Sequence, residues 1–251
     1  MSYFGRWSLT GCLIFAAATA VQGADDDYSQ ALALLGKAIQ LESRNPNHYY
    51  ERARIHLQVD AYASAISDLN EAIRIDSRFT PAYGARAFAN NQMGQFEAAI
   101  ADAAEAIKLN GGDAFTFAQR GWAYGRTNRP DKGIEDLSRA IEIDQKNAST
   151  YSNRAELYAK VGQCDRALSD IEKAVVLDVQ DANAFGIRGY CYFQMRDYDK
   201  AKASYEMAIK LNPNDAVFFR NLALVFATTA RSGSNDGKAA ATKPPAQDMP
   251  Q

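Results

Sequence analysis

A strict spacing of 34 residues is the feature that most constrains how this 251-residue chain can fold. Small residues recur at this spacing in three registers, and aromatic residues recur in a fourth. The small registers are Ala31, Ala65, Ala99, Gly133, Ala167, Ala201; Ala38, Ala72, Ala106, Ala140, Ala174, Ala208; and Ala53, Ala87, Gly121, Ala155, Gly189, Ala223. The aromatic register is Tyr49, Tyr83, Phe117, Tyr151, Phe185, Phe219. Four registers in phase do not arise by chance, so the sequence predicts an array of helical repeats.

Each repeat contains two apolar segments with helical spacing, and a short break separates them. In residues 80–113 the break is centred on Gly94, and Asn128 and Gly162 occupy the same place in the next two repeats. Thr80 precedes Pro81, which is an arrangement typical of a helix start. The pattern therefore predicts an all-α fold, an α-solenoid of antiparallel helix pairs.

The repeat is similar to the tetratricopeptide repeat (TPR). Residues 182–215 carry that family's aromatic, small, tyrosine, alanine and closing proline positions as Phe185, Gly189, Tyr192, Tyr198, Ala201, Tyr205, Ala208 and Pro213. The proline position is poorly kept in the other repeats, although the period is unbroken. The resemblance covers about residues 27–230. It implies a right-handed superhelix whose first helices line a concave groove, where proteins of this family commonly bind peptides.

The repeats also set the predicted domain boundaries. The TPR array is predicted over residues 24–230, and it is made of a half repeat, five full repeats and a terminal helix. Their ranges are 27–45 for the half repeat, 46–79, 80–113, 114–147, 148–181 and 182–215 for the full repeats, and 216–230 for the terminal helix. The half repeat matches only a second helix, over residues 28–41, and Asp25-Asp26-Asp27 are expected to cap its start. Residues 231–251 are rich in Gly, Ser, Pro and Ala, so they are predicted to be a disordered tail.

Residues 1–23 have the pattern of a signal peptide. Arg6 precedes an apolar run from Cys12 to Ala18, and Val21-Gln22-Gly23 fits a cleavage site. The predicted location is therefore periplasmic or secreted, through a bacterial Sec-type signal. An uncleaved membrane anchor is one alternative, and a lipoprotein site at Cys12 is another. The protein would contact a membrane only if the signal segment were retained.

Composition excludes several classes of function. The formal net charge is −2, and no basic run or stripe is present, so a nucleic-acid partner is not expected. His48 and His56 are the two histidines, and His56 falls at an inward position of the repeat. No phosphate-binding loop, nucleophile motif or zinc spacing is found. We therefore predict no catalytic residues, no metal, no cofactor and no enzymatic activity.

The resemblance places a set of candidate partner-binding residues in the groove. Aromatic side chains there are expected to act as anchors, and amides are expected to hydrogen-bond a peptide backbone. The candidates are Tyr50, Arg54, Phe88, Asn91, Gln92, Gln119, Trp122, Arg126, Asn153 and Tyr190. The lysine and asparagine clamp of chaperone-binding relatives is absent, so a chaperone carboxylate tail is not an expected ligand. The positions of that clamp hold Tyr50, Arg54, Ala85, Phe115 and Gln119 instead.

Arginine and aspartate recur in phase on opposite helices, which predicts ion pairs, with a basic ligand-binding track as the rival interpretation. The arginines are Arg52, Arg86, Arg120, Arg154 and Arg188, and the aspartates are Asp68, Asp102, Asp136 and Asp170. Pairing within one repeat and pairing one repeat back each give four matched pairs. Ser204 breaks the first scheme, and Leu34 breaks the second. The sequence leaves the two registers open.

Two further features concern the end of the array. The terminal helix at 216–230 is apolar nearly all round, which is expected either of a well-buried lid or of a surface that docks on a partner or a second copy. Cys164 and Cys191 are the cysteines that remain after signal cleavage. Helix adjacency brings them near one edge, so a disulfide is a candidate and two packed free thiols are the alternative.

Together these features predict an exported, non-enzymatic TPR scaffold that binds a protein or peptide partner in its concave groove. Cell-envelope assembly or secretion is the expected setting. The alternative is a membrane-tethered assembly subunit that contacts its partners through the apolar terminal helix. A homo-oligomer formed through residues 216–230 is a further expectation.

Overall fold

In the computed structural model the backbone is described for residues 19–233 and the side chains for residues 27–231. The predicted tail beyond residue 233 and most of the predicted signal peptide lie outside the described residues. The described part contains twelve α-helices and no strands, which confirms the all-α prediction. The helices are α1 Thr19–Leu41, α2 Pro46–Gln58, α3 Tyr62–Ile75, α4 Thr80–Gln92, α5 Phe96–Asn110, α6 Ala114–Arg126, α7 Pro130–Ile143, α8 Ala148–Lys160, α9 Cys164–Leu177, α10 Ala182–Gln194, α11 Tyr198–Leu211 and α12 Ala216–Gly233.

The chain divides into two compact units, residues 1–76 and 77–251. In the first unit α1 packs against α2, and α2 packs against α3. Helix α2 begins at Pro46. The side-chain oxygen of Asn45 caps it by accepting a hydrogen bond from the backbone N–H of Asn47. Helix α2 therefore starts at its asparagine-proline sequence. The expectation that Thr80 precedes and caps its helix is wrong, because α4 already includes Thr80 and no side chain caps its start.

Helix α1 begins earlier than predicted. It starts at Thr19 rather than at residue 28, so Asp25-Asp26-Asp27 lie inside the helix and do not cap its start. The expected capping role is wrong, because the alanine-rich segment before these residues contains no proline and continues the helix. The helix also runs through Val21-Gln22-Gly23, the predicted cleavage site.

The second unit contains four complete helix pairs and one further first helix. Each pair packs closely, as α4 on α5, α6 on α7, α8 on α9 and α10 on α11, and α12 packs on α11. The turns within three of these pairs use left-handed backbone at Gly94 (φ 72°), Asn128 (φ 57°) and Gly162 (φ 78°). Glycine adopts this conformation without steric cost, and asparagine tolerates it.

The small registers lie where helices approach most closely. Ala99 and Ala106 are fully buried. A Cβ atom added to Gly121 of α6 would stand 2.8 Å from Leu137 Cγ and 3.0 Å from the carbonyl oxygen of Gly133 on α7. The backbones of α6 and α7 are therefore in near contact here, and that contact needs glycine.

The arginine and aspartate registers pair within one repeat. Arg120 donates to both carboxylate oxygens of Asp136, each at 2.7 Å, and the aspartate side chain is almost completely buried. The equivalent pairs are Arg52–Asp68, Arg86–Asp102 and Arg154–Asp170. Because these guanidinium groups are already held by carboxylates, they do not form the rival basic track.

Candidate functional site

Most candidate partner-binding residues lie on one surface of the second unit. We define the first-helix surface as the surface formed by α4, α6, α8 and α10, which lie side by side. Tyr50 and Arg54 lie on α2 of the first unit, where Tyr50 is half-buried and Arg54 is exposed and ion-paired to Glu51 at 2.9 Å. The other eight candidates lie on the first-helix surface.

Three amide side chains form a polar group between α4 and α6. Asn91 is buried, and its Nδ2 donates to the backbone oxygen of Gln119 at 2.9 Å and to its Oε1 at 3.0 Å. The Oδ1 atom of Asn91 and the Nε2 atom of Gln92 are both buried and have no hydrogen-bond partner in the protein. An unused acceptor and an unused donor therefore lie on consecutive residues, which is energetically unfavourable in the free chain.

Aromatic side chains flank this polar group. Phe88 of α4 contacts Phe115 of α6, with ring centroids 6.0 Å apart. Trp122 makes an edge contact with Phe96 at 5.5 Å, and the guanidinium of Arg126 lies 5.6 Å from the Trp122 ring centroid. Trp122 is therefore not only a candidate anchor for a ligand, because its half-buried ring also joins α6 to the start of α5.

On α8 the surface becomes polar and charged. Glu156 is buried and its Oε1 pairs with Lys160 Nζ at 2.5 Å. Ser152, also buried, donates its hydroxyl hydrogen to Asp181 before the start of α10. Asn153 is half-buried between these two residues in sequence. Glu156 lies one repeat after Trp122 and one repeat before Tyr190, so the period of 34 residues places it on the same surface.

Tyr190 of α10 is half-buried against the core between α8, α9 and α10. Burial raises the pKa of its hydroxyl, so the phenol stays neutral and can donate a hydrogen bond. The ring packs on a cluster that includes Cys191, with Cys164 at its margin. Tyr190 therefore joins the first-helix surface to the cysteine pair.

Cys164 and Cys191 are free thiols, and Cys164 packs against the core cluster that contains Cys191. The interaction with Cys191 lowers the pKa of Cys164, and the interaction with Cys164 together with burial raises the pKa of Cys191. The predicted proximity is found, whereas the disulfide itself stays a prediction.

Other kinds of site find no support in the described residues. Within residues 27–231, whose side chains the structure describes, His, Cys, Asp and Glu do not gather in threes as metal ligands would. None of the helices in this part of the chain combines the length and apolarity needed to span a bilayer. The groups described on the first-helix surface are amides, aromatic rings and the Glu156 carboxylate, which is paired with Lys160.

Comparison with known proteins identifies the repeat. Models described as tetratricopeptide repeat match residues 15–78, 80–113, 116–147 and 182–215. No curated protein matches the sequence. Among solved structures, YrrB, described as a TPR protein with an unusual peptide-binding site, is 20% identical with a TM-score of 0.60, covering 74% of this chain and 96% of YrrB.

Two further structures share the fold. MamA is 18% identical with a TM-score of 0.58, and the match covers 69% of this chain and 95% of MamA. A tetratricopeptide repeat protein from Parabacteroides merdae is 19% identical with a TM-score of 0.59, and the match covers 82% of this chain and 81% of that protein. At these identities the likeness concerns the fold alone.

Proposed function

This chain belongs to the tetratricopeptide repeat family, and from that premise we propose that it is a non-enzymatic scaffold that binds an extended protein or peptide segment on its first-helix surface. TPR proteins are generally scaffolds for protein interactions, and YrrB, which shares the fold, is described as having a peptide-binding site. The proposal therefore concerns which residues of this chain hold the ligand and what the ligand is like.

The observation that carries the proposal is the pair of unused polar atoms on α4. An extended peptide presents N–H donors and C=O acceptors along its backbone. Asn91 Oδ1 is an unused acceptor, and Gln92 Nε2 is an unused donor on the next residue. A peptide backbone that crosses α4 after a small rotation of these side chains would satisfy both atoms. The cost of leaving them unpaired would then be recovered on binding.

The aromatic rings supply apolar contacts on either side of the amides. Phe88 and Phe115 lie on the side of α4 and α6, and Tyr190 lies on α10. Aromatic residues are common energetic anchors of interfaces because they bury a large area with little loss of side-chain entropy. We expect the ligand to place apolar side chains against these rings.

Charge limits the class of ligand. Glu156 is paired internally with Lys160, and Arg126 lies over the Trp122 and Phe96 rings. The surface therefore presents no cluster of cations of the kind that holds a carboxylate tail. A peptide of low net charge with apolar side chains fits this surface better than an acidic tail does.

Export is the second part of the proposal, and it rests on the amino-acid sequence. Arg6, the apolar run to Ala18 and the Val21-Gln22-Gly23 site are typical of a signal peptide. Cleavage after Gly23 would shorten α1 but leave its packing residues in place. Periplasmic envelope assembly or secretion is the setting we propose.

A fusion of residues 1–27 to alkaline phosphatase tests export, because this enzyme becomes active only where its disulfides form. An inactive fusion would contradict the proposed export.

A display library of short unstructured peptides tests the binding surface. Selected peptides are expected to bind Asn91→Ala and Tyr190→Ala about tenfold more weakly than the parent chain, since each change removes one contact. Val176→Ala is the matched control, because Val176 is 85% exposed on the second helix α9. Peptides whose affinity is the same for the parent chain and both surface variants would overturn the assignment of this surface.

The rival proposal, in which the terminal helix makes the main contact with other proteins, is favoured by the exposure of Phe219 and Phe226 on α12. Peptides that lose affinity for Phe226→Ala and not for Asn91→Ala would support it. The same peptides therefore distinguish binding on the first-helix surface from binding on α12.

A further inference from the structure

Helix α12 has the sequence of a first helix, and no second helix follows it within the described residues. Phe219 lies one repeat after Phe185, yet Phe219 is 48% exposed and Phe185 is 4% exposed. Phe185 packs with Ala208 of the second helix α11. Ala223 is exposed although its counterpart Gly189 is buried beneath Tyr205 of α11. The side of α12 that a second helix covers in a complete repeat is therefore open.

The open side of α12 continues along the helix. Phe226 is 49% exposed, and Lys202 Nζ lies 5.2 Å from its ring centroid. Leu222 is half-buried, because part of it packs against the cluster of Tyr205 and Val225. The opposite side of α12 is closed by Phe218 and Val225, which are buried. Helix α12 is thus half covered by its own chain.

Helix α1 has the complementary arrangement. It has the sequence of a second helix, and no first helix precedes it within the described residues. Ala31 and Ala38 are half-buried, whereas their counterparts one repeat later, Ala65 and Ala72, are completely buried. Leu34, between them, is 65% exposed. The side of α1 that a first helix covers in a complete repeat is therefore also open.

The two open sides differ from complete repeats at one matched pair of positions. Leu222 occupies the arginine position of the ladder from Arg52 to Arg188, and Leu34 occupies the aspartate position of the ladder that starts at Asp68. Each half repeat thus carries leucine where four of the five complete repeats carry one member of an ion pair. An arginine or aspartate alone on an open side would be buried without its partner after docking, whereas two leucines pack together.

We propose that α12 of one copy packs against α1 of a second copy, so that two half repeats complete one repeat across the interface. Leu222 of one chain then contacts Leu34 of the other. The Phe219 ring packs beside Ala38, as Phe185 packs with Ala208 inside the chain. Because α1 and α12 are different surfaces, the contact is head-to-tail, and it builds a ring or an open chain of copies according to the rotation it imposes.

Segments of the same chain fit these surfaces less well. A second helix following α12 would need small residues at positions 235 and 242, where the sequence has Asn235 and Thr242, with Pro244 and Pro245 close behind. Before α1, residues 19–26 would form the later half of a first helix, yet they belong to α1 itself. A second copy supplies the missing helix at both ends with the right residue types.

Sedimentation velocity over a range of concentrations tests the proposal on the full-length chain, with the N-terminus that cellular processing leaves. The parent chain is expected to associate as its concentration rises. Leu34→Asp and Leu222→Arg should each weaken association at least about tenfold, since each buries one unpaired charge. Val176→Asp, an equally drastic change at an exposed site on α9, should leave association unchanged.

Mixing the two variants gives the decisive result. An equimolar mixture of Leu34→Asp and Leu222→Arg is expected to regain association. Where α12 of Leu222→Arg meets α1 of Leu34→Asp, the introduced arginine and aspartate pair with each other. Where α12 of Leu34→Asp meets α1 of Leu222→Arg, both leucines are kept. Where Leu222→Arg lowers the helix content, Ala223→Glu on the same open side replaces it as the single variant and should also abolish association.

Three results would overturn the proposal. The first is a parent chain that stays monomeric at every concentration. The second is normal association of Leu34→Asp, which would mean that α12 pairs with another α12 or with the tail. The third is a mixture of two well-folded variants that fails to associate.

Discussion

Arg188 Nε donates a hydrogen bond to Ser204 Oγ at 3.1 Å, at the place where every other complete repeat pairs arginine with aspartate. Burial lowers the pKa of Arg188, and its guanidinium lies 4.5 Å from the centroid of the Phe185 ring. The buried hydroxyl of Ser204 satisfies one N–H but supplies no negative charge. The last complete repeat is therefore the one whose ladder is electrostatically incomplete.

Ser204→Asp should stabilise the chain by about 1 kcal/mol, a value that allows for the partial exposure of Arg188. The change supplies a carboxylate at the position where Asp170 pairs with Arg154. Thermal unfolding at neutral pH and in acid measures the effect, which should disappear in acid when the introduced carboxyl is protonated. Ser204→Asn is the control, because the asparagine side chain has the shape of aspartate but no charge. An equal gain in stability from the two variants would contradict the electrostatic explanation.

Asp136→Ala should destabilise the chain by about 3 kcal/mol, because it leaves the Arg120 guanidinium half-buried without its partner. The double variant Arg120→Ala, Asp136→Ala should lose less than the two single losses together. Chemical denaturation of the parent chain, the two single variants and the double variant gives the coupling free energy between Arg120 and Asp136. Strictly additive losses would show that the pair contributes nothing as a pair.

Gly121→Ala should destabilise the chain by about 1–3 kcal/mol, because the added methyl group would press on Leu137 and on the backbone of Gly133. Gly36→Ala is the matched control, since no atom lies within 4 Å of its added Cβ. That control should stabilise helix α1 by about 0.5–1 kcal/mol. The unfolding midpoints of Gly121→Ala and Gly36→Ala are compared with that of the parent chain. Equal shifts in the same direction would refute the close contact of α6 with α7.

Trp122→Ala should lower the unfolding midpoint as well as peptide affinity. The loss of the edge contact with Phe96 alone is worth about 0.5–1.5 kcal/mol. Trp122→Phe, which keeps a ring at this place, should recover most of the stability. A variant Trp122→Ala with the parent's midpoint would show that the ring serves the ligand only.

Cys164 and Cys191 should form a disulfide when the protein is exposed to an oxidising compartment. The two thiols lie at the same core cluster, and the lowered pKa of Cys164 favours the reactive thiolate. The bond would close a loop of about 27 residues and add about 3 kcal/mol to stability. Mass spectrometry of the unreduced protein detects the linked peptides. Complete labelling of both thiols under denaturing, non-reducing conditions would exclude the bond.

The sequence by itself determined the helices, their pairing and the residues at their contacts. Helical spacing and turn residues act within a few positions, so Gly94 and Gly162 could be assigned to turns without any knowledge of the fold. The repeat then carried each local assignment along the chain. Alanine at every position of the second small register, from Ala38 to Ala208, indicated close helix contact for the same reason. The start of α1 escaped this reasoning, because nothing local stops a helix that has good helix-forming residues before it.

Only the tertiary structure decided which residues meet across helices. Arg120 has an equally good aspartate within its repeat and one repeat back in the sequence, and only the positions of the helices select Asp136. The same holds for the contact of Trp122 with Phe96 and for the placement of Cys164 and Cys191 at one core cluster. These partners depend on how far apart two helices lie and how deep each side chain reaches. A period of 34 residues repeats such distances along the chain but does not specify them.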